Sequence, residues 1–242
     1  MSESEESIFE ELAKLEPEFE NAEVDILKYS TKLFAPLYET RKNIIAKIDQ
    51  FWPSVISQVG EEIDAHITPT DNEVIDCINS IEVTRDVEDP RSFTITFGFN
   101  ENEYLESTTI SKTFTFIPKL PDSFSGDTVA EAERVVYKST KVPLKWKPGK
   151  DLTETKPGEP YSFFTFFDWE NSADKAEKDV FPAAHEVAIL IADELYPNAI
   201  KLYIDALNEG ESEDDDEEID LEDEDDDDDE EEEEPPRKRY KK

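Results

Sequence analysis

His66 and His185 are the only imidazoles available for acid–base or metal chemistry in the 242 residues. Neither sits at a recognisable nucleophile or metal-ligand spacing. His185 opens an amphipathic stretch, where a surface or capping role is expected. No G-x-G-x-x-G or G-x-x-x-x-G-K-[ST] phosphate loop occurs. Carboxylates are abundant, but acids without apolar surroundings remain ordinary and ionised. The acidic run near the C-terminus lacks the glycine and spacing of an EF-hand, so any divalent-ion binding there is expected to be diffuse. The remaining chemical candidate is the aromatic run Tyr161-Ser162-Phe163-Phe164-Thr165-Phe166-Phe167. It could stack nucleobases, but the surrounding negative charge opposes nucleic acid. Sealing a sheet is the expected role. These residues point away from an enzyme, and no cofactor or metal site is expected.

Charge is the feature that remains. The formal net charge is -38. Residues 209–234 hold 22 acids and no base, and 235–242 hold five bases. Of the 63 acids and 25 bases, 41 and 20 are left to residues 1–208, a net of −21. The body is therefore acidic without its tail. Such a surface repels nucleic-acid and membrane phosphates and draws in basic proteins. Cys77 is the single cysteine, which excludes an intrachain disulfide and suggests a reducing compartment. No apolar run reaches membrane-spanning length, and the acidic N-terminus does not read as a signal or transit peptide.

The elements that position this charge begin with a long helix. Phe19, Ala22, Ile26, Tyr29 and Leu33 recur three and four apart, and Leu12 and Leu15 extend the phase backwards. Pro36 falls where the next stripe residue belongs, predicting a kink, and the phase resumes at Leu37, Ile44, Ile48 and Phe51. Residues 1–17 read as a short N-terminal segment ending at Pro17, which suits the first turn of the next helix. From Glu18 to Asp49 the helix would be roughly 48 Å long at ~1.5 Å per residue. A domain of ~150 residues has a radius of gyration of only about 15 Å. The helix must project beyond it, and no second long periodic stretch exists to cover the stripe. A homodimer, antiparallel or crossed, is the simplest closed solution. Phe19, Ile26, Leu33, Leu37, Ile44 and Ile48 are the expected dimerisation residues.

Residues 18–60 thus form the helix and a short follower, opened by Pro53 and closed by Gly60. Thr70 and Glu73 read as a capping box for a short helix to about Ile78. Ile81, Val83 and Val87 alternate, Asp89-Pro90 turns the chain, and Phe93, Ile95, Phe97 and Phe99 share one face of a clear strand. Thr109–Ile117 returns with Ile110, Phe114 and Phe116 inward. Residues 118–133 read as a loop insertion, and Val135 to Trp146 as a fourth strand of an antiparallel meander. Ala183 to Leu207 is predicted helical with a break at Pro197. The fold class is α+β: a long dimerisation helix, then a domain over 61–208 whose four-stranded antiparallel sheet is covered by helices. Residues 209–234 are too charged to fold. The basic end 235–242, with Arg237, Lys238, Arg239, Lys241 and Lys242, reads as a nuclear import signal.

Several segments together carry a family resemblance. Lys32-Leu33-Phe34-Ala35-Pro36-Leu37-Tyr38 with Arg41, Ile45-Ala46-Lys47-Ile48 and Phe51-Trp52 resembles the dimerisation helix of the nucleosome assembly protein family, SET-like branch. Leu144-Lys145-Trp146-Lys147-Pro148-Gly149-Lys150-Asp151-Leu152-Thr153 is similar to that branch's strand–loop signature. Ser162 to Phe167 and Asp193-Glu194-Leu195-Tyr196-Pro197-Asn198 match two further landmarks. The similarity runs in order from about residue 20 to 205. It implies a histone chaperone, a homodimer joined by the long helices, each subunit carrying an α/β "earmuff" domain. Histones would bind on the earmuff's acidic underside. Carried over, Thr165 and Asp168 lie in the implicated region, followed by Glu170, Asp174, Glu177 and Asp179. The expected partners are core histones, as the tetramer-forming or the dimer-forming pair, a second copy of the chain, and a nuclear import receptor. No membrane and no sequence-specific nucleic acid is expected. Two alternatives share this surface: a subunit that delivers histones to a lysine acetyltransferase, and an acidic inhibitor or scaffold.

Overall fold

The computed structural model describes residues 3–117, 136–154, 160–170, 181 and 184–214. Helix α1 (Glu3–Ile45) runs 43 residues without interruption, through both Pro17 and Pro36. The division expected at Pro17 is therefore absent, and the N-terminal segment belongs to the same helix. Both prolines are exposed, so the carbonyl each leaves without a donor can turn to water. The helix ends at Ile45 rather than Asp49. The chain then turns through Gln50, whose φ of 59° is left-handed, into α2 (Phe51–Ser57). Pro53 consequently sits inside α2 instead of opening it. After Gly60, at φ +88°, come α3 (Glu61–Asp64) and α4 (Pro69–Ile75).

The capping box of α4 lies two residues earlier than expected. Thr68 caps the helix, accepting from Asp71 N, while the Asp71 carboxylate takes Thr68 N at 2.8 Å. Pro69 at the first helical position has no N–H to satisfy and fixes this start. Glu73 instead accepts the Tyr104 hydroxyl, and that contact pushes the phenol up to about 12.

Strands β1 (Ile78–Arg85), β2 (Phe93–Phe99), β3 (Thr109–Ile117) and β4 (Val136–Lys138) form the expected meander in order β1-β2-β3-β4, every pair antiparallel. The register sets Ile81 beside Phe97, Phe97 beside Ile110, and Phe93 beside Phe114. Period-two alternation puts all of them on one buried face. β4 is three residues long rather than reaching Trp146, which returns only as an isolated bridge to Leu105. The insertion predicted at 118–133 lies outside the described residues.

The aromatic run forms a 3-10 helix (Phe163–Asp168). Phe163, Phe164, Phe166 and Phe167 are all buried beneath the sheet, Phe166 on Phe114 and Phe167 edge-on to Phe97. Of the run only Tyr161 keeps an exposed ring, a single face rather than the row of faces a base-stacking platform needs. Helix α5 (Ala184–Leu190) passes into a π-helical turn (Ile191–Leu195) and then into α6 (Tyr196–Asp214). The break expected at Pro197 is realised as this widened turn, in which Tyr196 N reaches Ile191 O. Pro197 has no N–H to return to the turn before it. The Arg85 guanidinium stands at Ala192 O, 3.4 Å away. α6 also continues to Asp214, six residues into the segment expected not to fold, with Glu209 held by Gln58 Nε2 at 2.8 Å. Glutamate is a good helix former, and an established helix propagates more easily than it nucleates.

Candidate interaction surfaces

Two surfaces stand out: the stripe on α1 and the acidic corner after the 3-10 helix. Along α1, Phe19, Ile26, Leu33, Leu37 and Ile44 are 65, 67, 52, 60 and 56% exposed. The C-terminal turns enter the domain, where Tyr38 and Ile45 pack on the core, and farther back Glu20 reaches Arg91 at 2.6 Å. Among the described residues nothing covers the stripe. Ile48 lies past the end of the helix, in the turn before α2. Its place in a regular helical stripe is corrected by the early stop at Ile45. The root of α1 is fixed by Arg41, which is buried between the rings of Tyr38 and Tyr196 at 4.6 and 4.3 Å. Its Nη1 donates to Tyr196 O at 2.6 Å.

At the acidic corner the expected residues separate. Thr165 is buried, and its hydroxyl donates to Ser162 O at 2.7 Å. That geometry closes the 3-10 turn and removes Thr165 from any surface. Asp168 is partly exposed and pairs with Lys141 at 2.9 Å. Glu170 is half-buried, two residues on and past the buried Trp169. Asp174, Glu177 and Asp179 lie outside the described residues, as do the basic residues of 235–242.

Beneath this corner lies Lys112, fully buried on β3. Its ammonium donates to Thr140 O at 3.0 Å, Phe167 O at 3.1 Å and Trp169 O at 2.8 Å. One side chain thus ties β3, the segment leaving β4 and the backbone on both sides of Asp168. Burial pushes its pKa down to about 8, against the opposing pull of Asp168 and Glu170. Strand parity alone could have found it, since Lys112 shares the inward phase of Ile110 and Phe114.

Lys112→Met should destabilise the domain by about 2 kcal/mol, because the buried Trp169 O loses its donor at roughly 1–3 kcal/mol, offset in part by the charge no longer buried. Phe167 O keeps Val142 N at 2.8 Å, and Thr140 lies at the surface where water can replace the ammonium. The folded pKa lies below the unfolded one, so the unfolded state binds more protons between about pH 8 and 10.5. Lys112 therefore adds stability as pH rises through that window, and the Met variant should lack that slope. Urea denaturation of both proteins across the window checks this.

A second buried charge, Asp71, links α4 to the 3-10 helix. Its carboxylate accepts Ser162 Oγ at 2.5 Å and Phe163 N at 2.9 Å, besides the two donors of Thr68. No nearby cation is needed, because four donors and two helix N-termini hold the charge. The sequence carried no signal for this residue beyond a generic cap.

Among the described residues no group of three or more His, Cys, Asp or Glu could hold a metal ion, and no helix is long and apolar enough to cross a membrane. His185 is partly buried against Trp169, ring centroids 6.1 Å apart, and His66 rests on Phe181.

Fold and surfaces define a class: a long-helix scaffold bearing an acidic α+β domain. The family model for nucleosome assembly protein (NAP) matches residues 45–160. A Schizosaccharomyces pombe protein named as a nucleosome assembly protein is 37% identical over 206 residues, spanning 85% of this chain and 82% of its own. Protein SET of Drosophila melanogaster is 32% identical over 198 residues, spanning 76% and 67%. The crystal structure of Ccp1 superposes with a TM-score of 0.72 at 34% identity, covering 83% of this chain and 96% of that one. Vps75, solved as a histone chaperone, superposes at 0.65 and 25%, covering 83% and 98%. The chain belongs to the nucleosome assembly protein family.

Proposed function

We propose that the protein is a histone chaperone acting as a homodimer joined along α1. The observation that supports it most is similarity along most of the chain to a relative named as a nucleosome assembly protein and to Vps75, solved as a histone chaperone. The surface chemistry agrees. Free histones bind DNA by releasing counterions, with steep salt dependence and little specificity. An acidic dimer competes for the same lysines and arginines and releases them to stronger nucleosomal contacts. No ATP site is required, because the histone's own transfer to DNA supplies the free energy. In this reading Asp168 and Glu170, held in place from below by Lys112, begin a contact surface that Asp174, Glu177 and Asp179 extend. The tail at 209–234 raises local acid concentration. The basic end, with Arg237, Lys238, Arg239, Lys241 and Lys242, is read by an import receptor and places the protein in the nucleus. Delivery of histones to a lysine acetyltransferase would use the same surface.

Reversing Asp168, Glu170 and Asp174 to Lys should weaken histone binding by roughly tenfold or more. A chain truncated after residue 214 should still bind. Pull-downs with the tetramer-forming and dimer-forming core-histone pairs, over a salt series, check both. Equal losses from reversing exposed acids of α1 would sink the localised site. A fluorescent fusion lacking 235–242 should fail to concentrate in nuclei.

A further inference from the structure

β1 is an edge strand of the sheet. Among the described residues no backbone hydrogen bond joins β1 to any element other than β2. Alternate N–H and C=O groups along its eight residues therefore point outward, a template for another extended chain. Between this edge and the last turns of α1 lies a cavity of about 310 Å³. Its apolar wall comes from Trp52, Tyr196 and Ile45.

The charged groups of the cavity run against the sign of the protein. Of the lining residues Arg41 and Lys42 are cationic and Glu82 alone is anionic, a local net of +1 in a chain of −38. Lys42 pairs with Glu82 at 2.6 Å across the groove. Arg41 is 8% exposed, and among the described residues its Nη2 has no hydrogen-bond partner. The edge itself is shaped here. The register of β1 shifts between Ile78 and Ser80, and Gly98 of β2 lies so close that a Cβ on it would stand 2.2 Å from Ser80 Oγ.

We propose that this groove docks an extended peptide of a partner protein, which joins the sheet beside β1 and sets an acidic side chain against Lys42 and Arg41. Main-chain pairing supplies affinity and alternate side chains supply specificity. The residue two places from the acid would face the same way and fill the wall of Trp52 and Tyr196, so the partner motif is an apolar residue, any residue, then Asp or Glu. This site is independent of histone binding: its local charge selects acidic rather than basic cargo.

The test uses the full chain and a fluorescein-labelled peptide alternating valine and threonine around one central glutamate, read by anisotropy. Saturable binding is expected, weakened roughly tenfold by Lys42→Glu. N-methylation of the peptide backbone at alternate residues should abolish it while leaving the protein untouched. Histone pull-down by Lys42→Glu should match the wild type. The proposal is overturned by no saturation, by equal binding to Lys42→Glu, or by equal binding of a peptide with lysine in place of glutamate. Equal binding of the N-methylated peptide would reduce the groove to a carboxylate pocket and overturn strand addition.

Discussion

Glutamate at both Ile26 and Leu33 should turn the protein into a monomer with its α+β domain still folded. Both side chains are more than half exposed in the single subunit, so neither supports the subunit's own core. Helix α1 is about 64 Å long at ~1.5 Å per residue, its stripe lies uncovered among the described residues, and in the proposed dimer a second copy lies along it. Burying one such side chain is worth about 1.5–3 kcal/mol. The double substitution removes four of them from a two-fold seam and adds four charges there. A rise in dimer dissociation constant of at least about a thousandfold follows, equivalent to roughly 4 kcal/mol. Light scattering reads the mass, and near-ultraviolet circular dichroism reads the packing of the aromatic core. A wild-type chain that is already a monomer at micromolar concentration would remove the dimer from the proposed function.

Asp71→Ala should cost about 4 kcal/mol of stability, among the largest effects of any single change in this domain. The carboxylate is buried and is the acceptor for two backbone N–H groups and two hydroxyls. Alanine strands the N–H of Phe163 and the Ser162 hydroxyl in the interior, at roughly 1–3 kcal/mol for each unsatisfied donor, and removes the carboxylate half of the α4 capping box at up to about 1 kcal/mol. Asp71→Asn, which keeps the shape and one acceptor oxygen, should lose less than half as much. The loss should appear first around the 3-10 helix, so hydrogen exchange at Phe163–Asp168 should accelerate before the rest of the sheet. An Ala variant with unchanged denaturation midpoint would show that water replaces the carboxylate.

The two predictions fall on opposite sides of what a sequence can display. The stripe of α1 was legible because helical spacing repeats every few residues along one contiguous segment. The same holds for Phe93, Ile95, Phe97 and Phe99, whose period of two named both the strand and its buried face. The meander followed from pairing each such strand with its neighbour in sequence. Where local rules competed, reading along the chain gave way: Pro17 and Pro36 are breakers by propensity, yet an exposed helix passes through both. Thr70 and Glu73 spelled a capping box, but Pro69 moved the start and Thr68 took the role with Asp71.

Chain-local pattern determined the helix, the strand order, the buried faces of β2 and β3 and the sign of the surface. Tertiary structure decided which polar groups leave that surface. Asp71 meets Ser162 across 91 residues, Lys112 meets Phe167 across 55, and Arg41 meets Tyr196 across 155. Periodicity reports which way a side chain points, whereas the cost of burying a charge is settled by donors and acceptors that only the folded chain assembles.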